Sequence, residues 1–308
     1  MSIEYGIIVK NKTRLEALIE RFNTRAQAQF YIERSGGNFE EYELEHANFH
    51  DSLSSVQRQL SKVLKNKIVE RSFLPSFLFN DKQLVIVIGQ DGLVANTAKY
   101  VNGLPIVAVN PDAERYDGLL LPFQPANFLQ GVDKVMAGHY QARIATLAEA
   151  QLNDGQRLLA FNELFIGAAS HVSARYKISF KDKSEEHSSS GIIVSTQAGS
   201  TGWLSSIFNM TLAMRRFMEK GEAKKKSTEL KDNQLMFVVR EPFRSKKTQA
   251  DLAAGILSES GKLVIESYMP SNGVIFSDGI EADFLQFNSG SIATIGTAKE
   301  KAQLVVPT

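Results

Sequence analysis

Asp91 stands between Gly89 and Gly92 in the stretch VIVIGQDGLVAN (residues 85–96), at the end of a run of apolar, β-branched residues. A buried strand that enters a glycine-containing turn and then a helix is a usual scaffold for gripping phosphate. Glycine lets the backbone approach closely, and the free N–H groups at the helix start attract negative charge. A carboxylate in such a turn is repelled by phosphate and needs a reason to be there. It can help hold Mg2+ beside the phosphates, or it can take the proton from a hydroxyl that attacks them. Either role is kinase chemistry. The plain alternative is an ordinary strand-to-helix turn with Asp91 as its N-cap.

The elements that must position this turn can be read from periodicity. Ile3 to Lys10 reads as a strand, and Leu15, Leu18, Ile19, Phe22 and Ala26 fall at helical spacing. Leu53, Val56, Leu60, Val63 and Leu64 predict a second amphipathic helix, with Asp51 or Ser52 as its cap. Leu84 to Ile88 and Leu104 to Val109 are continuous apolar runs of the kind buried in a parallel sheet, with a helical segment, Val94 to Val101, between them.

Beyond about residue 140 the texture changes. Residues 158–165, 174–180, 191–196, 234–240, 262–268, 273–276, 291–297 and 302–306 are short, β-rich and separated by Ser, Gly, Asn and Asp clusters. The polar stretches Lys181–Ser190 and Lys220–Asn233 read as exposed loops, and Lys224, Lys225 and Lys226 as a solvated part of the second.

Composition excludes several classes. The 308 residues are 43% apolar and 22% charged, which suits a globular protein with a sizeable core. With 35 basic against 34 acidic side chains there is no overall field to gather nucleic acid. The lack of cysteine excludes disulfides, thiolate-ligated metals and thiol catalysis, and fits a reducing compartment. The first residues lack the pattern of a secretion signal, and no apolar run is long enough to cross a membrane, so a cytoplasmic protein is expected. His46 and His50, one helical turn apart, could share a metal but lack a third placed ligand, and read as surface histidines. His139, His171 and His187 form no set, and no Ser-His-Asp arrangement is visible.

Three segments, in order, resemble the NAD kinase family: the Gly-Gln-Asp-Gly turn at 89–92, Phe161-Asn162-Glu163-Leu164, and the stretch GIIVSTQAGSTGW at 191–203. Residues 110–122 (NPDAERYDGLLLP), 174–179 (ARYKIS), 239–243 (VREPF) and Trp203, where most of the family has Tyr, are most similar to its mitochondrial-type branch and that branch's bacterial relatives.

The resemblance implies an α/β nucleotide-binding domain over residues 1–140, completed by about 286–308, and a β-rich, sandwich-like NAD-binding domain over 141–285. The chain's last segment would return to the first domain. It implies phosphorylation of the adenosine ribose 2′-hydroxyl of NAD by Mg2+-ATP, in a homodimer or homotetramer. Asp91 would be the catalytic base. Gly89, Gly92, Asn162, Glu163, Thr201, Gly202, Trp203 and Ser206 would line the nucleotide sites, with no protein-held metal. In this chain Ser190 stands where many members have an acidic residue, Gln90 where the family has glycine, and Leu93 where it has threonine. If position 90 requires a positive φ, glutamine there costs on the order of 1 kcal/mol. The alternatives are a dinucleotide-binding protein of the same fold that has lost the transfer step, and a lipid or diacylglycerol kinase, which shares the Gly-Asp-Gly turn.

Overall fold

A computed structural model describes residues 3–219 and 229–307. The chain divides into two compact units, residues 1–144 with 303–308, and residues 145–302. The Lys224–Lys226 run lies outside the described residues, as does most of the polar stretch 220–233.

The first unit runs β1 (Tyr5–Lys10), α1 (Arg14–Phe22), α2 (Arg25–Arg34), α3 (Phe39–Leu60), β2 (Lys65–Glu70), β3 (Gln83–Ile88), α4 (Asp91–Ala98), β4 (Pro105–Val109) and α5 (Phe128–Met136). Its strands form a parallel sheet in the order β2-β1-β3-β4. The returning chain adds to it, because Gln303 and Leu304 pair in parallel with Pro105 and Ile106. The apolar runs are buried as expected: Ile86 and Ile88 of β3 and Val107 and Val109 of β4 pack against Phe49, Leu53 and Val56 of α3 and Phe128 and Val132 of α5.

Two helices differ from the periodic reading. The first breaks in two because Asn23 adopts a left-handed conformation (φ 65°) and Thr24 caps a new start. The second starts much earlier than Asp51, at Phe39, where the Asn38 side chain accepts from the N–H of Glu40. It ends at Leu60, so Val63 and Leu64 lie beyond it. Glu40 and Glu41 favour that start through the helix dipole, a signal that apolar spacing does not carry.

The second unit is built from β5 (Ala142–Leu152, entering from the first unit), β6 (Arg157–Ala160), β7 (Glu163–Ala168), β8 (Ala174–Phe180), β9 (Lys183–Ser189), β10 (Ile192–Ser195), α6 (Trp203–Glu219), β11 (Leu235–Val239), β12 (Ala254–Leu257), β13 (Leu263–Ser267), β14 (Gly273–Ser277), β15 (Ile280–Gln286) and β16 (Ile292–Val305). One antiparallel sheet has the order β12-β11-β10-β7-β14-β15, and the other contains β16-β13-β8-β9 with β5 and β6. One buried cluster takes Ile166, Val194, Phe237 and Ile275 from the first sheet and Tyr176, Ile178, Ile265 and Ile295 from the second, which makes the unit a β-sandwich. The expected α/β domain followed by a β-rich one is therefore observed, with one long helix, α6, carried on the second unit.

Lys181–Ser190 is not a loop. Residues 183–189 form β9, paired along its length with β8, and His187 and Ser189 are buried. Alternation of exposed and buried positions hides in this polar sequence because the buried members are themselves polar: Ser189 meets the Tyr176 hydroxyl at 2.7 Å.

Candidate functional site

In the first unit the turn after β3 is built around close packing. A β-carbon at residue 89 would lie 2.9 Å from Leu93 Cδ2, so the buried leucine and the glycine occupy each other's space. Gln90 is extended (φ −109°, ψ 166°) and is the N-cap residue of α4. The expected cost of a non-glycine residue at position 90 is therefore absent. Asp91 is the first helical residue rather than the cap. Its carboxylate accepts from the backbone N–H of Leu120 (2.8 Å) and of Leu119 (3.3 Å).

The segment 110–122 folds so as to deliver those two amides. Asn110 Nδ2 donates to the Tyr116 carbonyl (2.9 Å), and Asn110 Oδ1 accepts from the Asp112 N–H (3.1 Å). Gly118 turns the chain with φ +62° at a place where a β-carbon would sit 2.5 Å from Asn110 Nδ2. Gln90 and Tyr116 both line the cavity beside the turn, and burial raises the pKa of the Tyr116 phenol.

Beside this turn is a cavity of about 260 Å³ with Gly89, Gln90, Gly92 and Leu93 on its wall. Its rim brings in the cations Lys12, Arg14 and Arg71, and the carboxylates Glu45 and Asp112. Both carboxylates face arginine: Glu45 pairs with Arg14, and Asp112 lies 3.7 Å from Arg115. Lys12 bonds Glu20 (2.8 Å), which raises its pKa and keeps it charged.

In the second unit the Asn162-Glu163 pair and the 195–206 segment come together. Strands β7 and β10 pair with Glu163 opposite Ser195. Thr196 Oγ1 donates to the Phe161 carbonyl (2.6 Å) and accepts from the Gly199 N–H (3.1 Å), while the Thr196 N–H reaches the Asn162 carbonyl (2.9 Å). A β-carbon at residue 199 would be 2.2 Å from that same carbonyl oxygen, so only glycine allows the two segments to touch. Thr201, Gly202 and Ser206 are exposed, and Trp203 is half-buried. A β-carbon on Gly202 would be 3.8 Å from Glu163 Oε2, which sets this backbone beside the carboxylate. Trp203 stacks on Phe165 (centroids 5.8 Å, planes 4° apart) and carries the Arg240 guanidinium at 5.3 Å.

Asp278 organises the turn from below. Its carboxylate accepts from the N–H groups of Phe161 (3.0 Å), Asn162 (2.6 Å) and Glu163 (3.3 Å). Burial, and then the charge of Asp278, push the Glu163 carboxyl up to about 7. Asp278 and Thr196 were not singled out from sequence; Asp278-Gly279 reads only as a turn dipeptide, and Thr196 as part of a longer matched segment.

No family model matches the chain. Among curated proteins, it is 23% identical to a probable NADH kinase of Oryza sativa subsp. japonica over 65% of its length and 64% of the relative's. It is 29% identical to an NAD kinase of Saccharolobus islandicus over 52% and 62%, and 26% identical to that of Chlorobaculum tepidum over 38% and 42%. The chain thus spans less than two thirds of the length of each of these relatives. Among solved structures, yeast NADH kinase complexed with NADH aligns with a TM-score of 0.60 at 13% identity, covering 100% of this chain and 85% of that one. An NAD kinase from Archaeoglobus fulgidus in complex with ATP aligns at 0.52 and 15%, covering 98% and 92%. The chain is thus similar in sequence to NAD and NADH kinases, and it shares the fold of the two solved ones.

Proposed function

We propose that the protein is an ATP-dependent NAD kinase that transfers the γ-phosphate of ATP to the adenosine ribose 2′-hydroxyl of NAD, giving NADP. The observation that carries this reading is the joining of Asn162 and Glu163 to the Gly199–Trp203 segment through Thr196. An amide and a carboxylate held beside exposed glycine backbone suit the paired hydroxyls and the amide of a dinucleotide. Glu163 accepts hydrogen bonds from ribose hydroxyls once ionised, Asn162 both donates and accepts, and the Trp203 ring offers an apolar face. Thr201, Gly202 and Ser206 complete that surface.

Asp91 acts as the base. Its two bonds to backbone N–H leave each oxygen a further lone pair for the attacking hydroxyl, and base catalysis of this kind contributes roughly 100- to 10,000-fold. Gly89 and Gly92 admit the phosphates of ATP to the cavity, where Lys12, Arg14 and Arg71 oppose their charge. The carboxylates on that wall already face arginine, so magnesium enters on the ATP phosphates rather than in a protein cage. Bound there, it neutralises charge on the transferring group. Relatives named for NADH as well as NAD fit the resemblance to the mitochondrial-type branch and make NADH a second acceptor to assay. Among the described residues no helix is long and apolar enough to cross a membrane. The working form is a cytoplasmic homodimer or homotetramer.

The second reading, dinucleotide binding without transfer, is favoured by the Gln90 and Leu93 side chains on the cavity wall. Incubating the protein with NAD, ATP and Mg2+ separates the two. Appearance of NADP supports the kinase; bound NAD with no product supports the second reading; neither product nor binding overturns both. Capture on diacylglycerol-containing vesicles would instead favour the lipid-kinase alternative.

A further inference from the structure

We propose that Glu16, His46 and His50 form a binding site for one divalent transition-metal ion of the zinc class. His46 and His50 are one turn apart on α3 and leave the same face of the helix, with ring centroids 4.3 Å apart. The third ligand that sequence spacing could not supply comes from α1: Glu16 Oε1 is 3.0 Å from His50 Nε2. One donor atom from each of the three residues lies within 4.8 Å of the other two. Small side-chain rotations bring them to the separation of about 3.4 Å that ligands about 2.1 Å from a tetrahedral ion require.

The donors are held ready. Glu16 Oε2 is occupied by the Thr13 N–H (2.8 Å) in the capping box of α1, which turns Oε1 toward the histidines. His46 Nδ1 lies 2.9 Å from Thr13 Oγ1, and a hydrogen bond of this kind orients a ligating ring. All three side chains are half-buried, leaving room for water as a fourth ligand.

Lys10 Nζ, 3.9 Å from Glu16 Oε1, opposes any bound ion. Two imidazoles among the three donors favour ions of the zinc class over Mg2+ or Ca2+. Because Glu16 also holds Thr13, a bound ion fixes the 11–14 segment, which lines the cavity beside Gln90.

The test is a Zn2+ titration of the tag-free, chelator-treated full chain by calorimetry, with the visible spectrum of added Co2+ as a second readout. The expected result is one Zn2+ per chain and cobalt bands of a low-coordinate nitrogen and oxygen site. His50→Ala and Glu16→Gln should each weaken binding by at least about tenfold, and Lys10→Met should tighten it. Glutamine at position 16 can still cap Thr13, so loss of binding in that variant is not loss of the helix. Absence of saturable Zn2+ binding in the wild-type chain, or binding unchanged in His50→Ala and Glu16→Gln, overturns the proposal.

Discussion

The Asp91 carboxylate accepts a 2.8 Å hydrogen bond from the backbone N–H of Leu120, a residue in a different loop, and a 3.3 Å bond from that of Leu119. The same side chain that would take the ribose proton therefore also fixes the 110–122 segment. Asp91→Asn keeps the size but retains one acceptor oxygen and no charge. Turnover should fall at least about 100-fold, while NAD affinity stays within a few-fold. Steady-state rates of NADP formation and a separate NAD titration check this. Normal turnover in the variant removes Asp91 from the mechanism.

Glu163 should make stability, and binding if it contacts the dinucleotide, depend on pH near neutrality. Its folded-state pKa, about 7, lies above the ordinary value of 4.5, so between these values the native state binds more protons than the unfolded one. Stability conferred by the protonated acid is present at low pH and declines as pH rises from about 4.5 through 7. Dinucleotide binding through Glu163 should run the other way, because the ionised carboxylate is the better acceptor for ribose hydroxyls. Glu163→Gln should flatten both profiles. Denaturant midpoints across pH, with NAD titrations followed by Trp203 fluorescence, provide the check.

Asp278 touches no proposed ligand and acts by positioning. Asp278→Asn removes the charge that accepts three backbone N–H groups and that raises Glu163. The loss should be about 1.5–3 kcal/mol of stability, the range for bonds to a charged group. A merely structural role would stop there. A positioning role also moves the pH midpoint of NAD binding below that of the wild type, read in the same fluorescence titration.

At Gly199 a single methyl group should separate the two matched segments. Its β-carbon would meet the Asn162 carbonyl oxygen at 2.2 Å, and backbone on both sides cannot yield cheaply. Gly199→Ala should lower stability by about 1–3 kcal/mol, as overpacking does, and abolish measurable NAD binding. Thermal unfolding and calorimetry read the two effects, and wild-type affinity would show that the contact is not needed.

Gln90→Gly restores the residue that the NAD kinase resemblance leads one to expect, and removes a side chain from the cavity wall. If ATP enters the cavity beside this turn, KM for ATP should fall several-fold with KM for NAD unchanged. An unchanged KM for ATP would mean that Gln90 does not obstruct the donor.

Much of the fold was written in local patterns. The apolar runs of β3 and β4 needed no partner to be recognised, since a β-branched stretch without polar interruptions must be buried on both faces. The matched segments likewise marked Asp91, Asn162 and Glu163 as candidates. Strand β9 escaped notice because its buried faces are a histidine and a serine, whose burial depends on partners in β8 and at Glu185. The early start of α3 was missed because charge and capping mark it rather than apolar spacing.

Sequence alone determined where strands and glycine turns fall, because these follow from side-chain volume and backbone freedom at each residue. Only the tertiary structure decided what each polar group faces. Asp278 reaches the amides of residues 161–163 from more than a hundred positions away, and Glu16 meets His50 from another helix. A carboxylate's chemistry is set by the donors and charges within a few ångströms of it, and distance along the chain carries no information about those.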